Sequence, residues 1–122
     1  MKYSTFEDIP VWADARGFVG LVYKISRDNF RNDFELSNQF RSAALSIVLN
    51  ISEGFERKSN KDFARFINTS KASAGECRAI LYIAQDLGYL SLSEFNSLKE
   101  AVLDISRQLS KFESYLLDTH KQ

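Results

Sequence analysis

A chain of 122 residues, 44% hydrophobic and 13% aromatic with ten Phe, is long enough to bury a real core and too apolar for a disordered polymer, so one domain over residues 1–122 is expected. Its 16 basic and 16 acidic residues cancel, which excludes a strongly basic nucleic-acid binder by overall charge and leaves only local patches. One cysteine, an N-terminus without an apolar signal core, and no apolar run near the ~20 residues of a membrane span point to a cytoplasmic protein with no membrane contact.

The first helix is expected to start near Pro10, with Asp8 placed to cap it, since proline is tolerated in a first turn. Val11, Ala15, Phe18, Val22 and Ile25 step by four and three along one face, Trp12, Val19 and Tyr23 widen it, and Gly17 and Gly20 lie opposite. Residues 28–33, DNFRND, read as a turn. The second helix covers residues 34–57. Leu36, Phe40, Ala43, Ala44, Ile47, Ile51 and Phe55 form its apolar stripe, and Gln39, Ser42, Ser46, Asn50 and Glu53 a polar seam beside it. Leu45 and Leu49 fall away from that stripe, so this helix has faces for more than one partner.

Gly54 stands near the helix end, and the polar run ERKSN at 56–60 connects to a third helix from Asn60 to Leu87. Phe63, Ile67, Ser70, Ala74, Cys77, Leu81 and Ala84 alternate four and three, a seam suited to left-handed bundle packing. Cys77 in that seam reads as a small buried hydrophobe rather than a nucleophile. On the far side, Ala64, Asn68, Ala72, Gly75 and Ala79 form a strip of small side chains. Two readings are open for it: close approach of another subunit, or alanine chosen for helix propensity. Gly88 is placed as a C-terminal cap, and Ser91 with Glu94 has the spacing of a capping box. Phe95, Leu98, Val102, Ile105, Leu109, Phe112 and Leu116 then give the fourth helix a seam without a fault, and the tail DTHKQ is expected to fray. Short connections between four helices predict an all-α, up-down-up-down, left-handed four-helix bundle.

Catalytic constellations are missing. The one histidine, His120, lies in the tail, so Ser-His-Asp and Cys-His arrangements are not available within a chain. No Glu-x-x-His pair, zinc-ligand set or glycine-rich phosphate loop is present, so neither enzyme activity, a metal nor a cofactor is expected. Asn50 and Glu53 read as structural hydrogen-bonding groups. Charge is nevertheless uneven. Between residues 57 and 78 stand Arg57, Lys58, Lys61, Arg65, Lys71 and Arg78 against only Asp62 and Glu76. Arg57, Lys61 and Arg65 recur at four-residue steps, so Arg57, Lys58, Lys61 and Arg65 are the candidate phosphate contacts; a plain solvated surface is the competing reading. Repetition around a ring would raise the charge presented to a polymer.

The segments FEDIPVWADAR, QFRSAALSIVLNISEGFER, KDFARFINTSKAS and IAQDLGYL carry a family resemblance over about residues 6–90. Its most specific parts are Asn50-Ile51-Ser52-Glu53-Gly54 followed by Arg57, and Leu87-Gly88-Tyr89-Leu90. In these the chain resembles the four-helix-bundle proteins encoded by intervening sequences of 23S ribosomal RNA genes, also grouped as the S23 ribosomal protein family. It departs from them at Val48, where relatives often carry proline, and at Ala74 and Cys77, where bulkier leucines are common. The resemblance implies a left-handed bundle and a ring-like homopentamer, in a family with no established enzymatic activity. The family is also similar to the accessory variability protein of diversity-generating retroelements, which implies RNA or DNA and a reverse transcriptase as partners. The functional expectation is therefore a homopentameric, non-enzymatic bundle binding nucleic acid through a repeated basic surface. The alternative is a protein-interaction scaffold without nucleic acid.

Overall fold

The computed structural model describes residues 2–118, and His120 with most of the tail expected to fray lies outside them. Four helices carry the chain: α1, Pro10–Ile25; α2, Phe34–Phe55; α3, Asn60–Asp86; and α4, Leu92–Leu117. Among the described residues there is no strand, and no helix is long and apolar enough to cross a membrane. Each neighbouring pair runs antiparallel, as the level of its contacts shows. Trp12 Nε1 donates to Ser52 Oγ at 2.7 Å across α1 and α2, and Arg41 Nε donates to Ser26 Oγ at 2.7 Å at the other end of that pair. Across α2 and α3, Ser73 Oγ donates to Ser46 Oγ and Ser70 Oγ to the Ile47 carbonyl, both at 2.8 Å. Phe63 meets Phe112, and Tyr82 meets Phe95, at opposite ends of the α3–α4 pair.

The core follows the periodic seams. Phe18, Val22, Phe40, Ile47, Ile51, Phe63, Ile67, Leu81, Ile105 and Leu109 are all buried, as are Ala74 and Cys77 at the narrow point of α3. Small residues there let α3 sit close to its neighbours, which is the packing meaning of a seam that includes Ser70 and Ala74. Two aromatic clusters close the bundle. At one end Trp12, Phe6, Phe55, Phe63 and Phe112 follow one another with centroids 5.2, 6.5, 6.1 and 5.3 Å apart, touching all four helices. At the other, Phe30 stacks on Phe40 at 5.8 Å and leans on Tyr89 at 5.4 Å.

Local signals mostly resolve as the residues dictate. Gly88 adopts φ +78° and ends α3 with the paired bonds of a Schellman turn, Gly88 N–H to the Gln85 carbonyl and Tyr89 N–H to the Ala84 carbonyl. Ser91 and Glu94 form a reciprocal capping box on α4. Three expectations need correction. Asp8 does not cap α1: residues Phe6–Asp8 coil into a short 3₁₀ turn, and Ile9, 1% exposed, holds the cap position with no side-chain hydrogen bond. Burial of Ile9 decided the chain's entry angle, and a capping aspartate was not needed. Residues 28–33 are not simply a turn, because a wider π-helical turn, Ser26–Phe30, extends α1 and drops Phe30 into the core. The reversal is then made by Arg31 at φ +49°. Finally, Ala64 is 3% exposed and does not belong to the outer strip of α3, whereas Asn68, Ala72, Gly75 and Ala79 do face outward. Flanked by α2 and α4, α3 buries a wider arc at its start than one apolar stripe implies.

Candidate nucleic-acid interface

The turn from α2 to α3 is set by two local devices. Gly54 lets α3 cross closely, since a Cβ there would lie 2.7 Å from Phe63 Cδ1 and 2.7 Å from Phe66 Cβ. Ser59 then caps α3, its Oγ accepting from the Asp62 N–H at 3.1 Å. Between them lies an open depression lined by Arg57, Lys58, Lys61 and Arg65 together with Glu56 and Asp62. All four predicted cations are therefore brought together, beside the positive end of the α3 dipole. Lys71 and Arg78, which belong to the same basic stretch of sequence, do not line it.

The cations are not equivalent. Arg57 is held from three sides: Glu53 at 3.2 Å, Asp62 at 4.0 Å, and the Phe66 ring 4.5 Å beneath its guanidinium. Arg65 pairs with Asp62 at 3.4 Å with its side chain 75% exposed. Among the described residues neither Lys58 nor Lys61 makes an ion pair, and both are exposed. Exposed pairs of this kind contribute about 0–1 kcal/mol, so a phosphate can replace Asp62 or Glu53 with little loss. The arginines are positioned and the lysines are free charge. Asp62 enters the charge balance of residues 57–78 in the sequence, but the ion pairs do not, although Glu53 to Arg57 at four residues and Asp62 to Arg65 at three is the spacing of helical pairs. Phe66 beneath Arg57 had no comparable signal.

Elsewhere polar groups serve the fold. Asn50 donates to the Ser46 carbonyl at 2.8 Å, and the Glu53 carboxylate accepts from Arg57 at 3.2 Å. Among the described residues no buried side-chain polar atom lacks a partner, and no group of three or more His, Cys, Asp or Glu could hold a metal ion. Burial, with Glu76 nearby, pushes the Cys77 thiol up to about 12, so it stays protonated and unreactive at neutral pH. At the far end a clasp joins the two turns: Tyr89 Oη donates to Asp33 Oδ2 at 2.8 Å, and Asn29 Nδ2 donates to the Tyr89 carbonyl at 2.9 Å and to Glu94 at 3.2 Å. Within Leu87-Gly88-Tyr89-Leu90, Tyr89 thus holds the α1–α2 and α3–α4 turns together.

The profile of the family described as 23S rRNA-intervening sequence protein matches residues 7–111. Among solved structures, the chain is similar to a protein of unknown function from the S23 ribosomal protein family of Bacteroides thetaiotaomicron VPI-5482. The two share 22% identity and a TM-score of 0.78, covering 84% of this chain and 97% of that one. At that identity the likeness concerns the fold. No curated protein matches the chain significantly.

Proposed function

Because the chain belongs to the 23S rRNA-intervening sequence protein family, we propose that it is a non-enzymatic helical bundle that assembles into a homopentameric ring and binds RNA through phosphate contacts. The observation that carries this reading is the gathering of Arg57, Lys58, Lys61 and Arg65 around one depression at the start of α3. A net-neutral chain spends four of its cations on one corner, and a ring multiplies that corner around an axis. Phosphate contact without base-edge readout gives affinity with little sequence preference. Replacing Arg57, Lys61 and Arg65 together with Glu is expected to abolish retention of RNA in a gel shift while leaving the helical circular dichroism and the oligomer unchanged. In the wild type, four contacts to a single strand give log K against log salt a slope of roughly −3. Undiminished retention by the triple variant would sink the proposal.

A second reading rests on a different surface. Leu49 on α2 is 58% exposed, and Asn68, Ala72, Gly75 and Ala79 form a strip of small uncharged side chains on the outer side of α3. Phe34, Ile83, Leu87 and Leu92 are exposed at the end of the bundle away from the basic turn. Such surfaces suit protein contact, either between subunits or with a partner such as a reverse transcriptase. Recovery of one defined protein partner after nuclease treatment, with no RNA retained by the purified ring, would favour a scaffold over an RNA binder.

A further inference from the structure

A second depression lies at the same end of the bundle as the basic turn, but between the N-terminal segment and the last turns of α4. Three aromatic side chains edge it. Tyr3 meets Phe112 edge to face at 6.2 Å, and Phe112 stacks with Tyr115 at 6.3 Å and an interplanar angle of 17°. Its floor includes Ile9 and Val11, both buried, and its rim carries Lys2 and Lys111, both exposed. The volume is about 250 Å³, below the roughly 300–1,000 Å³ of sites for drug-sized molecules, so it suits one flat ring system and not an extended ligand. Gln108, also in the lining, commits its amide N–H groups to Asp14 at 2.8 Å and Asp104 at 2.9 Å, which leaves its Oε1 as an acceptor. Aromatic edges, an apolar floor, one acceptor and two cations are the chemistry that recognises a planar heteroaromatic ring carrying an anion.

Both depressions lie at one end of the bundle: Phe112 at the groove packs on the buried Phe63, 5.3 Å away, and Asp62, next to Phe63 in the chain, lines the basic depression. We propose that the groove takes an unstacked base of a single-stranded nucleic acid whose phosphates lie along Arg57, Lys58, Lys61 and Arg65. The inference rests on the phosphate-binding reading above and adds a base contact to it. A duplex keeps its bases stacked and cannot fill the groove, so the ligand class narrows from any polyanion to single strands.

The test uses the full-length protein with two kinds of probe. In nuclear magnetic resonance titrations, adenosine monophosphate is expected to shift the amides of Tyr3, Gln108 and Lys111, and inorganic phosphate only those around residues 57–65. In fluorescence anisotropy, an oligo(dA) is expected to bind at least about fivefold tighter than an abasic oligonucleotide of equal length. Tyr3→Ala should remove that difference and leave abasic binding unchanged, whereas glutamates at Arg57, Lys61 and Arg65 should weaken both. If Tyr3→Ala loses its helical signal, the exposed Lys111→Glu replaces it. That variant is expected to weaken the nucleotide-induced shifts at Tyr3 without touching the phosphate response at 57–65. Equal wild-type affinity for the two oligonucleotides, or nucleotide shifts confined to 57–65, overturns the base contact alone. Absence of binding to either oligonucleotide overturns the phosphate reading and this inference with it.

Discussion

Two glycines in helices show how opposite the demands on one residue type can be. Gly54 faces the start of α3, and any side chain there meets Phe63 and Phe66 at 2.7 Å. Gly75 is exposed on the outer face of α3, with nothing within 4 Å of a built Cβ. In a helix interior alanine is favoured over glycine by about 1 kcal/mol. At Gly54 overpacking against two phenylalanines opposes that gain by about 1–3 kcal/mol. Gly54→Ala is therefore expected to lower the urea midpoint, and Gly75→Ala to raise it by the equivalent of ~0.5–1 kcal/mol, in equilibrium unfolding of the same preparation. The Gly75 experiment has a second use. If Gly75 allows close approach of another subunit, the alanine variant stabilises the chain but weakens the assembly, and light scattering separates the two effects. Sequence spacing placed both glycines on helices but could not rank them, since only the crossing of α2 and α3 decides which one has room for a Cβ.

At the scale of the helix, ends are fixed by different physics at different places. Ser59 and Ser91 cap through hydroxyls, Gly88 through its positive φ, and Ile9 through burial alone. Gly88 and Ser91 follow from local chemistry and were legible in the residues, whereas Ser59 read only as part of the polar connection 56–60. The start of α1 was not, because an apolar residue seated in a core leaves no capping signature in sequence. The π-helical turn Ser26–Phe30 was equally hidden: DNFRND has the composition of a loop, yet Phe30 needs the extra turn to reach Phe40 and Tyr89. Arg41 secures this stretch by donating to Ser26 while lying 4.6 Å over the Tyr23 ring. The start of α4 makes a prediction in pH. The Glu94 carboxyl is held below its ordinary value of 4.5, first by the Ser91 backbone N–H and then by the Asn29 amide, against a smaller opposing effect of burial. A carboxyl lowered on folding contributes stability that is complete above the unfolded value and disappears as pH falls through the folded one. Stability should thus decline as the medium is acidified below about 4.5, and Glu94→Gln should flatten that part of the curve, as followed by thermal melting across pH 2–6.

The whole molecule is polarised along the bundle axis. The α2–α3 turn carries the basic depression, and the opposite end, where α1 meets α2 and α3 meets α4, exposes Phe34, Leu87 and Leu92. Overall composition averages these ends to zero charge, which is why net charge said little about a partner. The four cations could be read from their spacing, but the groove of Tyr3, Phe112 and Tyr115 could not, since it joins residues more than a hundred positions apart. For a ring of five, light scattering on a size-exclusion column is expected to give about five times the chain mass of 14.0 kDa. A monodisperse single-chain mass would refute the ring and leave the basic depression as an isolated patch of four cations.

Trp12 is the chain's one tryptophan, and it stands at the head of the aromatic series that runs through Phe6, Phe55 and Phe63 to Phe112. Its indole N–H is tied to Ser52 on α2, and Arg16 lies 5.7 Å over its ring. The protein thus carries a built-in optical reporter at the end where both depressions lie. Its emission maximum is expected to report the seating of α1 against α2 at that end, so an unlabelled sample can follow the unfolding of that end.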